Sequence, residues 1–335
     1  MMQFEKPLRE KGIDVDFSCW LGDESLARHY NSGSRYHLGE ISGPSLKRLF
    51  RMWSARRYDA VWLQKEAFSY LPWLLESVSW INLPPVVVDY DDAVFHNYDM
   101  NNNPLLRLLL SRKIDHVMKA SSAVIAGNAY LAHRAEKAGA KIVRVIPTVV
   151  DAARYVSAPP KRSNRFRVGW IGSKTTVKYL VQLAPVLARA ERELGAEIVV
   201  IGPGDVALPG ITATNVKWTE ETEAAELAKL SVGIMPLIDA PWERGKCGYK
   251  LVQYMASGLP SIASPVGTNI DIIAPGQTGF LADSPEDWFA RLKHLKENPK
   301  QAAIIGRAGR ASVEKNYSVS AILPQLAETF RMVAS

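Results

Sequence analysis

The feature that most restricts the fold of this chain is the run Pro85 to Tyr90 (PVVVDY). Its consecutive valines leave no polar face for water, and a strand apolar on both sides is stable inside a parallel sheet covered by helices. Parallel strands need long crossovers, so the flanking sequence must alternate strands with helices. It does so in two blocks. In the first, strands are predicted at Val15 to Leu21, Asp59 to Gln64, Ser122 to Ala126 and Ile142 to Ile146. Between them lie a basic helix, Pro104 to Ala120, packed through its leucines, and a helix from Asn128 to Ala138 capped by Asn128. Pro147 to Asp151 leaves this block, and Ser157 to Arg165 (SAPPKRSNR) has linker composition. The second block restarts with a strand, Phe166 to Ile171, a polar loop, Gly172 to Thr176, and a long helix, Val177 to Leu194. Strands at Ala196 to Ile201, Val216 to Thr219 and Val232 to Pro236 follow, and the chain closes on helices at Ser284 to Glu297, Gln301 to Glu314 and Val319 to Val333. The chain's 335 residues suit two α/β domains with a core each.

Within the second block, Trp242 to Asp283 carries the chemistry. Gly245 and Gly248 bracket a short basic turn, after which Tyr249 to Ser257 has helical spacing. Leu251, Val252, Met255 and Ala256 share one side; Lys250, Gln253 and Tyr254 take the other. Gly258 stops the helix, and Ser261 to Ser264 reads as a buried strand. A glycine turn running into a helix leaves free N–H groups at the positive end of the helix dipole, which suits a phosphate. Lys246 and Lys250 add mobile cations there, and the Gln253 amide could meet a sugar hydroxyl. Cys247 lies in the turn without an evident His or Asn partner, so a small packing residue fits it better than a nucleophile.

The net charge of +7 asks for anionic partners: phosphate ligands, nucleic acid or acidic lipid. Nucleic acid is the least favoured, because the basic residues are scattered or sit on amphipathic helices and no recognition module is present. Ser45 to Arg57 is such a helix, with Leu46, Leu49, Phe50 and Trp53 against Lys47, Arg48, Arg51, Arg56 and Arg57. It is read either as a surface helix packed through its apolar side or as a segment resting on an anionic membrane. No apolar run is long enough to span a bilayer, and the two cysteines, Cys19 and Cys247, form no disulfide framework. Both point to a cytoplasmic chain, peripheral at the inner face of the membrane on the second reading of the helix. The acids Asp89 to Asp92 (DYDD), after the core strand, lie where ligands bind in open α/β sheets.

KLVQYMASGLPSIASPVGTNIDII followed by GQTGFL closely resembles the nucleotide-sugar-binding segment of retaining glycosyltransferases of family 4, which have the GT-B fold. The resemblance implies two Rossmann-like, doubly wound domains facing across a cleft: an acceptor-side domain, 1–155, and a donor domain, 156–318. A last helix, 319–335, would pack back on the first domain. It implies transfer from a nucleotide-diphosphate sugar without metal or other cofactor, to a glycan, lipid-linked or small-molecule acceptor in cell-surface polysaccharide synthesis. In the family, retention arises from front-face attack assisted by the leaving phosphate.

The donor site implied by this resemblance comprises Gly172, Ser173, Lys174, Lys178, Gly245, Lys246, Cys247, Gly248, Lys250 and Gln253. The family's paired glutamates fall on Gly245 and Gln253, with Glu243 two residues out of register. The usual arginine after the loop glycine is Ser173, leaving Lys174 or Lys178 to supply the charge. The family's histidine past the core strand falls on Asp91, with His96 the nearest histidine; these two are the implied catalytic residues, either of which would touch the acceptor or the donor sugar. Met1 to Gly12 reads as a helix, and the buried strand and glycine loop that normally precede it are missing. A GT-B sugar-nucleotide epimerase and a catalytically silent binding subunit are the competing readings.

Overall fold

The computed structural model describes residues 1–20, 38–155 and 165–335, the backbone alone for 38–42. They divide into two compact units. Met1–Pro147, Arg244–Cys247 and Leu323–Ser335 make the first; Thr148–Glu243 and Gly248–Ile322 make the second. Residues 148–155, placed with the first domain on sequence, thus count with the second.

The sheet of the first unit has four parallel strands among the described residues, side by side in chain order: β1 (Val61–Gln64), β2 (Val86–Tyr90), β3 (Ala123–Ala126) and β4 (Val143–Val145). Val86, Val87 and Val88 are almost inaccessible to solvent, as the apolar run demands. The strand predicted at Val15 to Leu21 does not form: residues 13–20 have no strand pairing, and Leu21 lies outside the described residues. Trp62 of the edge strand β1 packs between Phe4 and Phe330 at ring distances of 6.0 and 5.2 Å.

Among the described residues the helices of this unit are α1 (Glu5–Arg9), α2 (Leu38–Ser54), α3 (Trp73–Glu76), α4 (His96–Asp99), α5 (Pro104–Leu110), α6 (Lys113–Ala120) and α7 (Ala129–Ala138). Two expectations are corrected here. The predicted helix Pro104 to Ala120 is broken after Leu110. Ile114, Val117 and Met118 of α6 enter the core, whereas Leu105, Leu108 and Leu109 of α5 face solvent. The break also buries Lys113, whose ammonium lies 2.6 Å from Glu66 and 3.1 Å from Glu76. The second correction concerns α2, which packs inward through Met52 and Leu49 and leaves Leu46, Phe50 and Trp53 exposed. Arg48 turns in, and burial lowers its pKa against the pull of Glu76. Arg51 is tied to Asp16 and Tyr58.

Among the described residues the second unit holds six parallel strands: β5 (Arg167–Ile171), β6 (Glu197–Ile201), β7 (Thr214–Val216), β8 (Val232–Met235), β9 (Ser261–Ala263) and β10 (Phe280–Leu281), in the order β10-β9-β8-β5-β6-β7. The order reverses at β5, whose neighbours are β6 and β8. Ligands of open α/β sheets bind beyond the carboxyl ends of strands at such a switch point. Its helices are α8 (Val177–Leu194), α9 (Glu223–Ala228), α10 (Pro241–Arg244), α11 (Tyr249–Ala256), α12 (Asn269–Ile272), α13 (Pro285–Glu297), α14 (Pro299–Asn316) and α15 (Val319–Ala334); Arg244 and the residues from Leu323 on count with the first unit.

Strand alternation sorts the core of the second unit into two layers. Val168, Trp170, Ile198 and Val200 pack with α8 and α13, while Ile171, Val199 and Ile201 pack with α11. Among the described residues no helix is long and apolar enough to cross a membrane.

Candidate functional site

The loop after β5 and the N-terminal end of α11, from Gly248 on, converge within the second unit. The loop Gly172 to Thr176 is held by a reciprocal cap. Ser173 N–H donates to Thr176 Oγ1 at 3.1 Å, and that hydroxyl donates back to the Ser173 carbonyl at 3.0 Å. Gly172 N–H donates to the Ile201 carbonyl at 3.0 Å, anchoring the loop at the carboxyl end of β6. The short turn Lys174–Thr176 then runs directly into α8.

Gly248 is the N-cap of α11 with φ +67°, a backbone that favours glycine. A Cβ there would also lie 2.3 Å from Ile272 Cδ1, so the turn requires glycine on both counts. Gly248, as N-cap, has no side chain with which to cap the first amides of α11. Lys250, in its first turn, reaches across to the β5 loop: its ammonium is 3.4 Å from Thr176 Oγ1 and 4.4 Å from the centre of the Trp170 ring. Two helix N-termini and the cations of Lys174, Lys178 and Lys250 therefore belong to one unit, with Lys250 in contact with the loop. Thr176 and Trp170 were not foreseen as site residues, since a threonine and a core tryptophan carry no sequence signal of their own.

Gln253 is not on the helix surface as expected. It is 4% exposed. Tyr155 donates to Glu223 Oε1 at 2.6 Å, and Trp218 Nε1 donates to Glu223 Oε2 at 2.7 Å. α11 is buried nearly all round because the ring of Tyr254 also turns inward. Its hydroxyl accepts from Ile171 N–H at 2.9 Å and donates to the Ile234 carbonyl at 3.2 Å. Glu243 is likewise buried, accepting from Tyr179, with the Lys178 ammonium 3.7 Å away.

The rest of the predicted set belongs to the first unit. Gly245, Lys246 and Cys247 count with it, as do Asp91 and His96. Asn128 caps α7 by accepting from Leu131 N–H at 2.9 Å, and its amide donates to the carbonyls of Gly245 and Lys246 at 3.1 and 3.2 Å. Its capping role was legible in the sequence; its grip on a loop more than a hundred residues away was not. A Cβ on Gly245 would lie 2.4 Å from Ala93 Cβ and 3.0 Å from the Ala93 nitrogen. The glutamate expected there has no room to start. Cys247 is buried in the core of this unit, where its sulfur faces Gly127.

Beside this loop the Lys246 ammonium is 3.6 Å from Asp92, and the Lys65 ammonium is 2.9 Å from Asp91. Lys65 stands at φ +65°, a conformation that costs a non-glycine residue roughly 1–2 kcal/mol. Burial, reinforced by Asp91, pushes the Asp89 carboxyl up to about 7. His96 is enclosed: Nδ1 is 2.7 Å from Asp99, Nε2 is 2.9 Å from the Tyr130 hydroxyl, and Arg134 braces Asp99 at 3.0 Å. Of the two catalytic candidates named from sequence, Asp91 is the accessible one, its side chain 42% exposed against 10% for His96. Among the described residues no three His, Cys, Asp or Glu side chains cluster as a metal site.

Residues 165–298 match the model of the family described as "Glycosyl transferases group 1". The chain is 31% identical over 147 residues to a GDP-mannose-dependent alpha-mannosyltransferase of Mycolicibacterium smegmatis. It is 27% identical over 176 residues to a sulfoquinovosyl transferase of Arabidopsis thaliana. These matches cover 42% and 48% of this chain but only 37% and 32% of the respective relatives.

Among solved structures, HepE of Anabaena in complex with UDP superposes with a TM-score of 0.67, covering 88% of this chain and 84% of that one at 18% identity. A sucrose-phosphate synthase of Thermosynechococcus elongatus gives 0.69, covering 90% and 80% at 15% identity. The fold is that of the GT-B glycosyltransferases.

Proposed function

We propose that this chain is a retaining glycosyltransferase that moves a sugar from a nucleotide-diphosphate donor to a glycan, lipid-linked or small-molecule acceptor. The observation that carries the proposal is the contact of Lys250 with the β5 loop. It gathers two helix N-termini and a cation at the sheet's switch point, an arrangement suited to a diphosphate. Departure of the leaving group builds negative charge on that diphosphate, and preorganised donors stabilise it as it develops. The loop Gly172 to Thr176, the first amides of α11, and Lys174, Lys178 and Lys250 are the donors in this reading. The first unit supplies the acceptor side, with Asp91 as its accessible acid. Retention follows from front-face attack guided by the departing phosphate and needs no protein nucleophile.

The match of 165–298 to the group 1 family and the HepE structure with UDP support the donor class. Cys19 and Cys247, which form no disulfide, support a reducing, cytoplasmic setting, with cell-surface polysaccharide synthesis as the role. The decisive experiment is release of nucleoside diphosphate from a panel of sugar nucleotides, with and without acceptor, and NMR of the product anomer. Acceptor-dependent release that persists in EDTA is expected. Donor binding without release would replace the transferase by a binding subunit, and rescue by Mg²⁺ after loss in EDTA would replace the metal-free mechanism.

A further inference from the structure

The solvent-facing apolar side chains of the first unit concentrate on neighbouring elements. On α2, Leu46, Phe50 and Trp53 are 56%, 59% and 45% exposed, and their spacing puts them in one stripe. On α3 and the turn after it, Leu74, Leu75, Val78 and Ile81 are each more than half exposed. On α5, Leu105, Leu108 and Leu109 are 66%, 77% and 64% exposed. These elements adjoin: α2 packs on the turn Ser77–Trp80, and α3 and α5 both pack on α6. An apolar patch of this kind marks an interaction site.

The charge around it selects the occupant. Across residues 43–57, 73–81 and 104–112 the one acid is Glu76, buried against Lys113. The exposed charges there, Lys47, Arg56, Arg57, Arg107 and Arg112, are all positive. A second copy would set these cations against one another, whereas an anionic lipid surface neutralises them. Trp53 at the edge of the stripe suits the headgroup boundary, and long basic side chains keep their heads in water while their stems lie on apolar surface.

We propose that the faces of α2, α3 and α5 form one docking surface for an anionic membrane, entered by Phe50, Trp53 and Leu108 and steered by the surrounding arginines and lysines. It extends the amphipathic helix expected on sequence, Ser45 to Arg57, by the exposed apolar faces of α3 and α5.

The test is co-sedimentation of the whole chain with phosphatidylglycerol–phosphatidylcholine vesicles at low salt, beside vesicles of phosphatidylcholine alone. Binding to the anionic vesicles is expected, at least tenfold weaker for Phe50→Ser/Trp53→Ser/Leu108→Ser. Each reversal in Lys47→Glu/Arg56→Glu/Arg107→Glu removes one cation and adds one anion, and should weaken it at least about fivefold. Fluorescence quenching of the wild type by brominated anionic lipid, reduced in Trp53→Phe, keeps the idea testable even if the serine variant fails to fold. Absence of binding, equal binding to neutral vesicles, or a dimer dispersed by the serine substitutions would overturn it. Vesicle binding needs no sugar nucleotide, so it stands or falls apart from the transferase reading.

Discussion

Replacing Lys250 by alanine tests the donor site at its centre. A charged hydrogen bond contributes about 1.5–3 kcal/mol. The ammonium lies 4.4 Å from the Trp170 ring centre, a contact worth roughly 0.5 kcal/mol at a half-exposed position and given up when the lysine turns onto a phosphate. The net loss of affinity is then about 1–2.5 kcal/mol, or about 5- to 70-fold in Kd. Titration calorimetry with UDP and GDP reads it directly, with Lys250→Arg expected to retain most of the binding. The fold should survive, because Lys250 is half-exposed on a helix whose packing rests on Leu251, Val252, Tyr254 and Met255. An alanine variant that melts normally and binds both nucleotides as tightly as the wild type would refute the assignment.

Three further outcomes follow from the first unit. Gly245→Ala should cost about 1–3 kcal/mol of stability in urea unfolding, since its Cβ meets the Ala93 backbone, and Gly245→Glu should fail to raise turnover. Lys113→Met should cost about 3–5 kcal/mol, visible as a lowered thermal midpoint, because it strands Glu66 and the fully buried Glu76. Asp89 holds its proton up to about pH 7 when folded, above its unfolded value, so stability falls as pH rises from about 4 to 7. Asp89→Asn should therefore raise the urea midpoint more at about pH 8 than at about pH 4, and an equal shift at both would contradict the assignment.

Much of the architecture was legible without coordinates, because hydrophobic periodicity is local. PVVVDY could be little other than a strand covered on both faces, and β2 is that strand. The glycine turn before Tyr249 announced the start of α11, since a positive φ and a close approach both select glycine. What periodicity could not decide is which side of a helix the fold turns inward when both sides carry apolar atoms. For α2, Met52 and Leu49 go in and Phe50 and Trp53 stay out. α5 keeps three leucines in water because the chain breaks before α6 to bury Lys113 between two glutamates. Nor could spacing place Gln253, which the fold buries instead of leaving on the helix surface. Propensity, caps and glycine turns act within a few residues and can be read in order along the chain. The pairings of Lys113 with Glu66, Asn128 with Gly245 and Lys250 with Thr176 join residues distant in sequence, and they exist only once the sheets have brought those residues together.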